Sequence, residues 1–379
     1  MQGLKSIPCS ILRGGTSKGV FFLSEDLPPS GKERDRIIKA VMGTPDKRQI
    51  NGLGGADILT SKIAIIGPPS RSDADLDYTF GQVGIAEDTV SYDGNCGNIS
   101  AAVGPFAIEK GMVKAKAPFT TVKIHNTNTA KIIIARVPVE DGLPKTYGDF
   151  KVEGVPGSGA EISLDFSQTV GSLNGKLLPT GQLIETLSIP ELGTIPVSFV
   201  DIANPVAFVR ANDLGLNGWE TTDELERNLE LLERLERLRG HCALRLGLVA
   251  KAEEAFSLSP YVPFLTLLAP AQRHNLHEGT LLDEDAMDLI VRLVGFKRAH
   301  KAFPGTGACC VAVAAHLKGS LVHAMLRDPG SVLSRPSVRI AHPNGVLSVK
   351  ILKDAETGNL EQVSIGRTWK KVMEGVAFF

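Results

Sequence analysis

The sequence predicts an α+β protein of two similar domains, each wrapping antiparallel β-strands round a central buried helix. Three observations lead there. The chain has 379 residues, more than one hydrophobic core usually supports. Short apolar and β-branched runs bounded by Gly, Pro and Asn recur in both halves. Finally, two helical stretches match at a fixed spacing: CGNISAAVGPFAIEKGMV from Cys96 and PGTGACCVAVAAHLKGSLV from Pro304. Gly97 aligns with Gly305, and Lys110-Gly111 aligns with Lys318-Gly319, at a constant offset of 208 residues and without a gap.

In chain order, SIPCSILRGG and GVFFLS read as strands on either side of a glycine-rich turn. SGKERDRIIKAVMG reads as a helix with a Ser cap that stops at Gly43. SKIAIIG and DLDYTFGQVGI are further strands, and TVKIHNTNTAKIIIARVPVED is a hairpin with an Asn-rich tip. Residues 141–185, rich in Gly, Pro and Ser, are the candidate connection. TIPVSFVDIANPVAFV reads as two strands broken at Asn204-Pro205. TTDELERNLELLERLERLRGHCALRLG reads as one amphipathic helix, with Leu225, Leu229, Leu232, Leu235 and Leu238 on its apolar side. DEDAMDLIVRLVGF reads as a capped helix, and Pro343-Asn344-Gly345 as a hairpin turn. The expected domains are 1–185 with a central helix over 97–110, and 186–363 with a central helix over 305–318. The tail 364–379 is a candidate completion of the first.

Lys plus Arg number 41 against 42 Asp plus Glu, so no basic excess points to nucleic acid. No stretch reaches 18 consecutive apolar residues, and the start lacks a signal-peptide apolar region, so no membrane role is expected. Five cysteines without a CxxC pair fit a cytoplasmic chain with reduced thiols. The sequence shows no HExxH, no clustered Cys/His set and no Walker A spacing, so neither a metal nor a cofactor is expected. The charges of the 221–239 helix are mixed in sign, which suits a solvated face, with packing against a second copy of the chain as the alternative.

Both repeated helices are small and apolar nearly all round, which predicts burial along their length. Glycines at Gly94, Gly97, Gly305 and Gly307 would let a ligand approach the main chain. If the two amino ends faced one cleft, their N–H groups and dipoles would suit a di- or tricarboxylate. Cys96 would then sit where a helix dipole favours thiolate. An inert packing thiol is the alternative. The matching position, Pro304, has no acid/base chemistry.

The motifs RGGTSKGVFF, GLGGADILTSKIAIIGP, DADLDYTFGQV, GNCGNISAAVGPFAIEKG, IHNTNT, KLLPTG, DIANPVAFV and HKAFPGTGA span nearly the whole chain. Through them the chain resembles the methylaconitate isomerase family, a branch of the diaminopimelate epimerase-like fold. That family includes 2-methylaconitate cis-trans isomerases, methylitaconate delta-isomerases and aconitate delta-isomerases. RQINGLGGAD, DYTFGQV and IHNTNT look most like the methylitaconate isomerases.

The resemblance implies a cofactor-independent isomerase that moves a C=C bond of an unsaturated di- or tricarboxylate by 1,3 proton transfer. Cis-trans isomerisation, tautomerisation and a non-catalytic carboxylate-binding relative are the alternatives. It also implies Cys96 and the lysine of TSK, Lys62, as the acid/base residues. Epimerases of this fold carry a cysteine on both central helices, and Pro304 departs from that. Candidate carboxylate binders are Thr16, Ser17 and Lys18 in the first glycine-rich turn, and Gly97 and Asn98 on the first helix. Gly305, Thr306 and Gly307 on the second helix, with Asn204 and His300, complete the set. His125, His274, His277, His316, His323 and His342 receive no role, and Cys309 and Cys310 read as core.

Overall fold

The computed structural model of the chain describes residues 5–295, 297–354 and 360–379. It divides into two units, Met1–Leu164 with Gly366–Phe379, and Asp165–Ile365. The division falls inside the stretch 141–185 whose composition suggested a connection.

The first unit contains β1 (Ser6–Gly14), β2 (Ser17–Leu23), α1 (Lys32–Met42), β3 (Lys62–Gly67) and β4 (Leu76–Val83). It continues with α2 (Gly97–Glu109), β5 (Phe119–Asn126) and β6 (Lys131–Glu140). β1 and β2 pair antiparallel, β2 and β3 parallel, β3 and β4 antiparallel, β4 and β5 parallel, and β5 and β6 antiparallel. The C-terminal strand Trp369–Phe378 pairs antiparallel with β1. A parallel pair needs a crossover, and α1 and α2 supply the two crossovers.

The two helices use opposite parities of the strands. Ile37, Ile38, Val41 and Met42 of α1 pack with Val20, Phe22, Ile63 and Ile65. On the other parity Phe21 meets Phe106 of α2 at 5.4 Å. Every residue of α2 from Gly97 to Ile108 is buried, as an apolar, small-residue helix requires.

The second unit contains β7 (Gly193–Ile202), β8 (Asn204–Arg210), α3 (Thr222–Arg227), α4 (Leu229–Arg245), β9 (Phe264–Pro270) and β10 (Leu289–Gly295). α5 (Gly305–Ala315), β11 (Ser337–His342) and β12 (Gly345–Lys353) follow. The pairings run antiparallel, parallel, antiparallel, parallel, antiparallel from β7 to β12. That succession is the one seen from β1 to β6, with α3 and α4 at the place of α1 and α5 at the place of α2. All eleven residues of α5 are buried.

Several elements differ from the sequence reading. Both sheets are mixed, because each helical crossover returns the chain parallel to its starting strand. Residues 284–295 form a 3-10 turn and then β10, not a helix, because ladders with β9 and β11 take the apolar run. The reading extended to Phe296, which lies outside the described residues. The long amphipathic helix is two helices. Asn228 leaves helical geometry and caps α4 through its side chain to Leu231 N at 3.0 Å, which turns Leu229 outward at 72% exposure.

The α1 cap is Gly31, while Ser30 Oγ accepts from Arg34 at 2.7 Å. The β7–β8 break is Ala203, at φ 64, and Asn204-Pro205 already belongs to β8. Gly111 (φ 70) follows α2 as expected, with its N–H on Ile108 O at 3.0 Å. α5 ends earlier than Lys318-Gly319, because His316, Ser320 and His323 side chains bond the carbonyls of Ala312, Ala314 and Ala315.

Candidate active site

Lys62 is the first residue of β3 and shares its face with Ala64 and Ile66, the face turned to α2. It is 4% exposed. Its ammonium donates to Gln82 Oε1 on β4 and lies 5.3 Å from the centre of the Phe80 ring. Gln82 is fixed in turn by its amide, which donates to Ser61 O at 2.9 Å and Ile58 O at 3.3 Å. Burial pushes the Lys62 ammonium down from the usual lysine range, while the charges of Cys96 and Asp57 pull it back up.

Cys96 is the N-cap of α2, 6% exposed, and its side chain makes no cap bond. Its carbonyl accepts from Ser100 N at 3.0 Å and Ser100 Oγ at 2.9 Å, which leaves the thiol at the mouth of the helix. Tyr78, wholly buried on the Lys62 face of β4, has its hydroxyl driven well above the usual phenol range by burial and by the Cys96 charge. The Cys96 charge therefore acts on both the Lys62 ammonium and the Tyr78 phenol.

The β1–β2 turn closes over the same helix end. Asn98, in the first turn of α2, donates to Thr16 Oγ1 at 3.1 Å and accepts from Arg367 Nε at 2.9 Å. Gly15 has φ 50, and a Cβ there would lie 2.2 Å from Asn98 Oδ1, so glycine is required on both counts. Ser17 is 1% exposed and its hydroxyl has no hydrogen-bond partner among the described residues. Lys18 lies on the opposite parity of β2, with Val20 and Phe22, so strand alternation carries it away from Ser17 and α2.

In the second unit Asn204, the first residue of β8, donates to Thr306 Oγ1 at 2.9 Å, and both are wholly buried. Gly305 opens α5. Gly307 answers a packing need: a Cβ there would meet Phe303 at 3.2 Å and Phe264 at 3.7 Å. His300 accepts from Ala302 N at 3.1 Å through Nδ1. Cys310 is core, its thiol pushed up by burial, and it accepts from Ile202 N at 3.2 Å beside the Ala203 turn.

The first unit thus gathers Cys96, Lys62, Thr16, Ser17, Gly97 and Asn98 round the α2 amino end, and leaves Lys18 apart. Sequence reasoning missed Gln82, Tyr78 and Arg367. The first two alternate with Phe80 in YTFGQV and were legible by strand parity. Arg367 is 269 positions from Asn98 and had no local signal. Among the described residues no group of three or more His, Cys, Asp or Glu side chains could hold a metal ion, and no helix is long and apolar enough to cross a membrane.

Residues 4–379 match the PrpF protein family. The chain is 46% identical over 380 residues to the 3-methylitaconate isomerase of Eubacterium barkeri, covering 100% of this chain and 98% of that protein. A crystal structure of a methylitaconate-delta-isomerase superposes with a TM-score of 0.81 at 45% identity, over 99% of this chain and 96% of the other. At the level of fold alone, a hydroxyproline epimerase from Agrobacterium vitis gives a TM-score of 0.57 at 14% identity, over 99% of this chain and 93% of the other. With the α+β, epimerase-like architecture observed and these likenesses running the length of the sequence, the chain belongs to the PrpF protein family and is an isomerase.

Proposed function

We propose that Cys96 and Lys62 form an acid/base pair that shifts a C=C bond in an unsaturated di- or tricarboxylate of the 3-methylitaconate type. One group removes a proton from the saturated carbon beside the double bond. The electron pair moves through the double bond and gathers as a dienolate on carboxylate oxygen. A proton is then delivered to the carbon at the far end of the allyl unit, so the double bond has moved one position and no atom is gained or lost. No electron leaves the substrate, so the step calls for an acid, a base and an anion sink, without a redox partner.

The observation that carries this reading is the buried Lys62 ammonium, lowered by desolvation and coupled in charge to Cys96. A buried lysine with a reduced proton affinity exchanges protons near neutral pH far more readily than an exposed one. The amino end of α2, with Gly97, Asn98 and the unbonded Ser17 hydroxyl, suits developing negative charge. Thr16 assists through Asn98. The substrate class is favoured by the 46% identity to a 3-methylitaconate isomerase.

The test is incubation with methylitaconate, 2-methylaconitate and cis-aconitate in deuterium oxide, followed by proton NMR. The expected result is isomerisation with deuterium in the product, fastest on methylitaconate. Cys96→Ser and Lys62→Ala should each lower the rate by about 10²- to 10⁴-fold. Wild-type turnover in Lys62→Ala would remove that residue from the pair, and no turnover of any of the three acids would remove the substrate class.

A further inference from the structure

We propose that Asn128, in the Asn-rich tip between β5 and β6, is a positioning residue that sets Cys96 against Lys62. The inference rests on the acid/base pair proposed above. The ladder between β4 and β5 ends at Tyr78 and Asn126, where the chain turns away. One rung further, the Asn128 side chain takes the place of a strand: its Oδ1 accepts from Phe80 N at 2.8 Å and its Nδ2 donates to Phe80 O at 2.8 Å. An amide side chain can do this because it carries the same donor and acceptor as a peptide group.

The same Nδ2 also donates to Tyr92 O at 2.7 Å. Tyr92 lies four residues ahead of Cys96, and its phenol donates to Asp35 of α1 at 2.6 Å. Val90 and Ser91 pair with Val83 and Gln82 of β4, and this one side chain carries the join of the two backbones on to Tyr92 and Phe80, nearer to Cys96. One is the strand whose Phe80 ring faces the Lys62 ammonium and whose Gln82 accepts from it. The other is the loop that delivers Cys96 to the head of α2. Asn128 is itself held, since Asn126 Nδ2 donates to its Oδ1 at 3.0 Å. Thr127 secures the tip through Thr79, with 2.6 Å between their hydroxyl oxygens. Losing Asn128 leaves the Gln82–Ser91 pairing in place and removes the tie at Tyr92, nearer to Cys96, without touching either reacting group.

The experiment compares Asn128→Ala and Asn128→Asp with wild type. The Asp variant keeps the shape and the acceptor for Phe80 N but loses both donated bonds, which covers failure of the Ala variant to fold. Turnover, separated into kcat and KM, and thermal melting are measured on each. Ile38→Val, in the α1 core, serves as a control for lost stability alone. The expected result is a fall in kcat of about 10²-fold, as for a reacting group displaced by about an ångström. KM should stay near the wild-type value, and the fall in kcat should not appear in Ile38→Val.

A fall in kcat in Lys62→Ala with none in the Asn128 variants overturns the role of Asn128 alone. Losses of activity that follow only the folded fraction do the same. Wild-type turnover in Lys62→Ala overturns the pair, and the role of Asn128 with it.

Discussion

β3 and β9 hold the same place in their units, yet one begins with a lysine and the other with a phenylalanine. The registers agree: Lys62 pairs with Gly19, two residues after Ser17, and Phe264 pairs with Val206, two residues after Asn204. The helices that follow begin after Cys96 in one unit and Pro304 in the other. The repeat therefore preserves the scaffold, a glycine-led buried helix against strands in the same order, and places lysine and cysteine at these two positions in the first unit but phenylalanine and proline in the second. The physical reason is cost. Burying an ammonium costs several kcal/mol unless it is well supported, and the first unit supplies Gln82, Phe80 and the nearby negative charges for that purpose. The proposed proton transfer needs one pair, so under that proposal a second buried ammonium would add cost without function.

The most severe test of this contrast is Phe264→Lys. Phe264 is 5% exposed, stacks edge-on with Tyr261 at 5.1 Å and fills the space over Gly307. A lysine there should destabilise the protein by about 3 kcal/mol or more, from lost packing plus an unsupported charge, as read by urea unfolding. A loss below about 1 kcal/mol would mean that the second unit cradles an ammonium as well as the first, and the contrast would fail.

The positions heading β2 and β8 give a smaller, paired effect of opposite kind. Ser17 Oγ has no hydrogen-bond partner among the described residues, so Ser17→Ala should not lower stability. It should nonetheless raise KM about tenfold, for one lost bond to a substrate carboxylate. Asn204→Ala leaves the wholly buried Thr306 hydroxyl without that donor and should cost about 1–3 kcal/mol of stability. Equal stability losses at both positions would show that Ser17 is structural.

How much of this was legible beforehand follows from where each signal resides. The buried helices were legible because small apolar residues all round a helix leave no other place for it. Their matching starts announced the duplication. The equivalence of Lys62 and Phe264 was not, since it rests on ladder register and the two strands share no motif. β10 was misread because DLIVRLVG suits either period, and only its neighbours β9 and β11 decide. Lys62 was singled out through resemblance, as spacing alone allowed a surface lysine. Arg367 and Asn128 act through contacts that close long loops or bond backbone, and neither leaves a local pattern.

The last expected effect concerns pH, and its sign distinguishes the two strand heads. Burial lowers the proton affinity of Lys62 in the folded protein, whereas the unfolded chain restores the ordinary lysine value of about 10.4. Between those two values the unfolded state binds more protons, so raising the pH stabilises the fold by up to about 1.4 kcal/mol per pH unit for one proton. Lys62→Met lacks that increment. The stability of wild type minus that of Lys62→Met should therefore rise as pH climbs from the lowered folded-state value towards 10.4, and fall again as pH returns to neutral. Phe264→Met, at the matching position, has no proton to bind and should differ from wild type by the same amount at every pH. Urea unfolding at several pH values measures both differences. A flat or falling difference for Lys62→Met would mean that the fold holds the ammonium as comfortably as water does, and the argument that desolvation prepares Lys62 for proton transfer would be lost.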